Sequence, residues 1–297
     1  MAGAPTDSLR AWPFRTTRAI LWRTITFFIL FGLLSALVIV PVASKLEQWE
    51  ASTSVAAHLY PDFAGLIAIL AATWIMTRFV DHRRFRTIGF SRGAVVRDIA
   101  AGLALGALWL TLSVGIAWAS GWATWQGRPG MTGIELFEAG GSILMNVLTQ
   151  QLLLCGYIFQ TIRTRTNFTL AMIVSAALFS VFHIGAFEGA WLPAVNVFVV
   201  GVLFCTAFEL TRNLWLPASL HFAWNFLLGP VFGLTVSGSD SLGLGWTAFA
   251  VDGPALFTGG AFGLEGGRVV TMTTVACAAL LTLLLLRARG RGLPSPV

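Results

Sequence analysis

Apolar residues in this chain come in long unbroken runs rather than in alternation. Eight runs stand out: Ile25–Ala43, Phe63–Val80, Ile99–Trp118, Phe137–Phe159, Phe168–Ala186, Ala194–Leu210, Trp215–Phe232 and Val269–Leu286. The sixth is the shortest. Each is about long enough to cross a hydrocarbon core of roughly 30 Å as a helix rising about 1.5 Å per residue. A backbone inside lipid must satisfy its own hydrogen bonds, and period-two patterning is missing, so the runs predict helices. The pattern therefore predicts an all-α, polytopic membrane bundle of about eight transmembrane helices. Between the last two runs, Thr235–Gly267 is rich in Gly and Ser and predicts an outer loop with turns.

Composition agrees with this picture. Of 297 residues, 56% are hydrophobic and 11% charged, with a mean hydropathy of +0.78. A soluble domain carries about 25% charged residues, and a disordered chain would be far more polar. The net charge of +6 does not imply nucleic acid as a partner. All but one of the 19 basic residues are arginines, and they sit in short segments between runs. With the N-terminus in the cytoplasm and every run crossing, only Lys45, Arg128 and Arg268 fall outside. That obeys the positive-inside rule and places both termini in the cytoplasm of a multi-pass cell-membrane protein. Trp122, Trp125, Trp191 and Trp215 lie at run edges, where an aromatic belt belongs. The first run is longer than a signal-peptide core and is expected to remain uncleaved. The segment Asp81–Asp98 reads as a basic loop or amphipathic surface helix that orients the chain. Cys155, Cys205 and Cys277 each lie within an apolar run, and three is an odd number. Neither a disulfide framework nor a zinc knuckle follows; buried thiols do.

Polar groups inside spans carry the chemistry. The fourth run holds Asn146, Thr149, Gln150 and Gln151, the fifth His183, the sixth Asn196 and Glu209 near its ends. The seventh holds His221 and Asn225, four apart and so on one helix face. Hydrogen bonds between helices, worth about 0.6 kcal/mol each, explain a lone Gln or Asn. Two histidines and an asparagine in neighbouring spans ask for more. His58 and His82 lie outside the spans and read as solvated loop residues.

From about Leu136 to Gly267 the chain resembles the CAAX protease and bacteriocin-processing (CPBP) family, the type II CAAX prenyl endopeptidase-like intramembrane proteases. Three stretches carry the resemblance in order: Gln150-Gln151-Leu-Leu-Leu-Cys155-Gly156, Phe179-Ser-Val-Phe-His183 and His221-Phe-Ala-Trp-Asn225. The segments Leu214–His221, Gly229–Gly233 and Thr258–Gly266 are also similar to family sequence. The resemblance implies an intramembrane endopeptidase in which a Glu activates water, a His assists, and His and Asn stabilise the oxyanion. It makes Gln150, Gln151, Cys155, His183, His221 and Asn225 the candidate catalytic positions. It implies membrane lipids and a peptide or lipidated peptide as partners, and no cofactor. It also divides the chain into an N-terminal arm (1–24), N-terminal helices (25–135), a protease-like core with its outer loop (136–267), and a last helix with a basic tail (268–297).

The first motif departs from the family. Where it has two Glu and an Arg, this chain has Gln150, Gln151 and Cys155. A Gln amide cannot take a proton at physiological pH, and general-base assistance is worth about 10²–10⁴-fold in rate. Losing all three charges together avoids leaving an Arg unpaired in a low-dielectric site. The expectation is reduced, altered or lost peptidase activity with substrate binding retained. The alternatives are an active endopeptidase using His183 or His221 as base, and a non-enzymatic membrane scaffold. Two His and an Asn without a carboxylate make a poor zinc site, so no metal is expected. Helical rise places Gln150, His183 and His221 at depths of about 15, 22 and 10 Å from the cytoplasmic ends, a mismatch that a shared site must reconcile.

Overall fold

A computed structural model describes residues 11–40, 56–128, 130–239 and 245–290. Lys45, the first ten residues of the arm, and the end of the basic tail with Arg291 lie outside them. Among the described residues, eight apolar helices make up the bundle. They are α1 (Ala11–Ile39), α2 (Ala56–Ile75), α3 (Val95–Ala119), α4 (Gly133–Gln151), α5 (Phe168–Phe182), α6 (Trp191–Thr211), α7 (Trp215–Phe226) and α8 (Arg268–Gly290). A π-helical stretch, Leu152–Ile158, and a last turn, Phe159–Arg163, prolong α4, and Leu227–Val231 prolongs α7 in the same way. By length and hydropathy, six of these helices can cross a membrane, while α5 is shorter. The sixth apolar run, shortest in sequence, becomes the full 21-residue α6 because Trp191–Pro193 lengthen it at the start.

Local signals set the helix ends. Thr132 and Glu135 form a capping box at the start of α4, each satisfying an amide of the other. Asn167 caps α5 by accepting from the Leu170 amide at 2.9 Å. Where α6 ends, Arg212 adopts a left-handed φ of 54° and the chain turns straight into α7. The surface segment before α3 contains only a single 3₁₀ turn, Phe85–Ile88, not an amphipathic helix.

Helix α3 packs along α7, α2 along α4, and α6 between α5 and α8. The α3–α7 contact is backbone against backbone. A methyl group added at Gly102 or Gly106 would collide with the Leu216 and Leu220 carbonyls. Small residues four apart are a common way for membrane helices to approach closely. Gly201 of α6 does the same against Ala176 of α5. Apolar residues such as Leu33, Leu37 and Leu108 point outward, as lipid-facing positions should.

Charge is gathered at one end of the bundle. Asp81 draws Arg23, Arg83 and Arg165, while Glu209 draws Arg163, Arg212 and Arg289. The opposite end carries a two-stranded antiparallel ribbon, β1 (Ala123–Gly127) with β2 (Ala248–Val251), in the register Ala123 to Val251. After β2 comes one helical turn, Ala255–Thr258, followed by two 3₁₀ turns that lead into α8.

Candidate functional site

His221 is buried midway along α7, and the close α3–α7 packing fixes its height. Its ring stacks on Phe204 of α6, with centroids 4.6 Å apart. One turn on, Asn225 Nδ2 lies 3.3 Å from His221 Nε2. On the other side, Gln151 Nε2 of α4 lies 3.2 Å from His221 Nδ1. A neutral imidazole offers one donor and one acceptor, so it cannot accept from two amide nitrogens. Turning the Gln151 amide over lets its otherwise unpartnered Oε1 accept from Nδ1–H, and Nε2 then accepts from Asn225. The result is a neutral chain, Asn225 to His221 to Gln151, that occupies both ring nitrogens.

Gln150 belongs to a second chain. Its Nε2 donates to Asn146 Oδ1 at 2.6 Å, and Asn146 Nδ2 donates to Asp62 Oδ1 of α2 at 3.1 Å. Ser142 also donates to Asp62. The Gln150 Oε1 atom is enclosed and has no partner. His183 ends α5. Its Nδ1 donates to the Phe179 carbonyl at 2.8 Å, which fixes the proton there and leaves the Nε2 lone pair available.

A carboxylate enters from the loop before α8. Trp224 Nε1 donates to Glu265 Oε1 at 2.7 Å, and the Ser237 amide donates to Oε2. The loop itself is tied down by Asn196, whose Nδ2 donates to the Glu265 and Gly267 carbonyls at 2.7 and 3.1 Å. Burial pushes the Glu265 carboxyl above the ordinary glutamate range, and the two donors only partly offset this.

Gln150, His183, His221, Asn225 and Glu265 line one small hollow of about 40 Å³. That is close to the space of a single water molecule, roughly 30 Å³ in the liquid. Two larger hollows share its walls. An apolar groove of about 260 Å³ runs between Phe28, Phe31, Leu154 and Phe182 to Gln150 and His183. A polar one of about 310 Å³ runs from Asp62, Ser142 and Asn146 to Gln150, His183 and Asn225. The expected depth mismatch is thus reconciled. His183 sits at the end of the short α5, not inside a full span, and Gln150 lies two residues before the π-helical stretch.

Cys155 is placed differently. It is fully buried beside Cys205 and does not line the hollow. The π-helical winding after Gln151 breaks the α-helical spacing that would keep the two on one face. Among the described residues no cluster of three His, Cys, Asp or Glu could hold a metal, and Glu209 is occupied by its arginines. Sequence reasoning missed Glu265 and Trp224 as site residues. The signal for Glu265 was its place in the family-like Thr258–Gly266 stretch, which the sequence marked only as part of an outer loop.

A family model, Type II CAAX prenyl endopeptidase Rce1-like, matches residues 132–227, about a third of the chain. The match begins at the cap of α4 and ends with α7, so it spans the helices that carry all three motifs. No curated protein and no solved structure matches the chain.

Proposed function

We propose that this chain, which a type II CAAX prenyl endopeptidase Rce1-like model matches over residues 132–227, is an intramembrane protease of the CPBP kind that binds a peptide or lipidated peptide in the hollow between α4, α5 and α7. Cleavage by the family's glutamate pair has been lost, leaving peptidase activity reduced or altered. The observation that carries the proposal is the meeting of the apolar and polar arms at Gln150 and His183. A lipid-modified side chain suits the first and an extended backbone the second, which brings an amide bond to the water-sized centre. The unpartnered Gln150 Oε1 suits a peptide N–H. Asn225 has a second amide hydrogen to donate to a carbonyl oxygen, the kind of contact that stabilises an oxyanion. Gln150 and Gln151 keep the shape of glutamates and the hydrogen bonds of the site, but not the proton acceptor.

His221 is a poor substitute base because both its nitrogens are engaged. His183, with Nε2 open, is the better imidazole for an active endopeptidase. The arginine-rich end carrying Asp81 and Glu209 faces the cytoplasm in this reading, in keeping with the positive-inside rule.

The test is purified protein in detergent, with photoreactive prenylated and plain peptides. The expected result is cross-linking to α4, α5 and α7, competed by unlabelled prenylated peptide, with cleavage slower than in Gln150→Glu/Gln151→Glu. The fully buried Cys155 has no room for an Arg, so the double variant is the appropriate gain-of-function control. Absence of cross-linking in both proteins would contradict the binding site.

A further inference from the structure

We propose that Glu265 is the catalytic proton acceptor of this site, a carboxylate delivered from the loop before α8 in place of the glutamates missing from α4. The inference rests on the binding reading above and names the residue through which its altered activity runs.

Four observations carry it. First, Glu265 lines the same water-sized hollow as Gln150, His183, His221 and Asn225. Second, it lacks a counter-cation: among the described residues it receives only the Trp224 indole and the Ser237 amide, both neutral. A carboxylate held out of water without a cation is unfavourable, and such groups concentrate where their chemistry is used. Third, the loop is built to hold it in place. Gly259 and Gly263 have φ of 89° and 81°, a region that favours glycine. A Cβ at Gly259 would strike the Gly263 carbonyl, and one at Gly267 the Phe257 carbonyl, so the loop is wound tightly over Phe262 and Leu264. Fourth, Asn196 fixes the Glu265 backbone from α6 and is itself bonded to Thr271 of α8 at 2.6 Å. Trp224, which bonds the carboxylate, stands between His221 and Asn225 on α7 and stacks on Trp109 at 3.7 Å.

The step is hydrolysis and needs only water. Glu265 takes a proton from water as the water oxygen bonds to the scissile carbonyl carbon. The carbonyl electron pair moves onto its oxygen, which Asn225 faces as donor. On collapse the C–N bond breaks, and Glu265 returns the proton to the departing nitrogen. An amide and water give an acid and an amine, and Glu265 ends ionised as it began. Desolvation raises the proton affinity of its carboxyl above the ordinary glutamate range, which makes it a stronger base than a surface glutamate.

The experiment compares the full-length protein with Glu265→Gln and Gln150→Glu/Glu265→Gln in lipid nanodiscs. It measures cleavage of prenylated and plain peptides by mass spectrometry, peptide affinity, and thermal unfolding. The expected result is slow cleavage by the unmodified chain, reduced about 10²–10⁴-fold by Glu265→Gln with affinity unchanged. The unmodified rate should rise with pH through one ionisation above the ordinary glutamate range, and that limb should vanish in the variant. Restored cleavage in the double variant shows that the loop variant is folded and lacks only a base. Equal cleavage by Glu265→Gln and the unmodified chain overturns the proposal. So does intact peptide binding with no cleavage by the unmodified chain, which leaves the binding reading standing. Loss of binding in the unmodified chain overturns both.

Discussion

Glu209, buried, and Glu265, half-buried, are two carboxylates that the fold treats in opposite ways. Glu209 is 3% exposed and gathers Arg163, Arg212 and Arg289 at 3.1, 2.9 and 3.0 Å. Those arginines come from the end of α4, the α6–α7 turn and the end of α8, so the carboxylate ties three elements together. Glu265 is met by the indole of Trp224 on α7 and a backbone amide, and it lines a hollow. Enclosure alone therefore does not mark a site. What separates the two is compensation: a structural carboxylate is surrounded by cations, whereas one beside neutral donors keeps a proton affinity that chemistry can use.

The comparison can be broken at several points. The largest effect is expected at Glu209. Glu209→Ala leaves three arginines without their shared anion and should cost about 3–5 kcal/mol in thermal or denaturant unfolding in detergent. Glu265→Gln should cost far less, since it removes a desolvated charge and keeps an acceptor for Trp224. Equal losses would erase the distinction. Next comes the scaffold that sets the height of His221. Gly106→Leu forces α3 away from α7, with an expected loss of about 1–3 kcal/mol and weakened peptide binding. Unchanged stability and binding would mean that the close approach does not position the site. A smaller effect follows His221→Leu, which keeps bulk against Phe204 but frees Gln151 and Asn225. One interhelical hydrogen bond, to Gln151, averages about 0.6 kcal/mol, and the bond to Asn225 within α7 adds a comparable amount at most. A loss several times larger would imply a structural role beyond the neutral chain.

The smallest effect is a tilt with pH. Glu265 binds its proton more tightly folded than unfolded, so the folded state holds more protons above pH 4.5. Its contribution to stability therefore falls as pH rises from 4.5 to the raised folded value and is flat beyond. Subtracting the Glu265→Gln curve from that of the unmodified protein should isolate this slope, and a slope of opposite sign would mean that a cation pairs with the carboxylate.

Much of the bundle was legible because lipid imposes a simple rule: an apolar run of sufficient length must be a helix. The same rule misjudged lengths, since α6 gains a turn from Trp191–Pro193 and α5 stops at His183. Convergence of Gln150, His183, His221 and Asn225 was anticipated from family spacing, but their depths disagreed until the π-helical stretch and the short α5 were known. Cys155 illustrates the limit of spacing arguments. Four residues on an α-helix share a face, yet the winding after Gln151 changes to π and the thiol turns into the core. Glu265 was beyond such reasoning. Its place depends on a glycine-wound loop and on Asn196, some 70 residues earlier in sequence.

The most direct test of the central claim is an infrared titration of the protonated carboxyl stretch, comparing the unmodified protein with Glu265→Gln. The account predicts a band that titrates above the ordinary glutamate range, is absent from the variant, and shifts when prenylated peptide is added. Identical titrations in the two proteins, or a band indifferent to peptide, would contradict it.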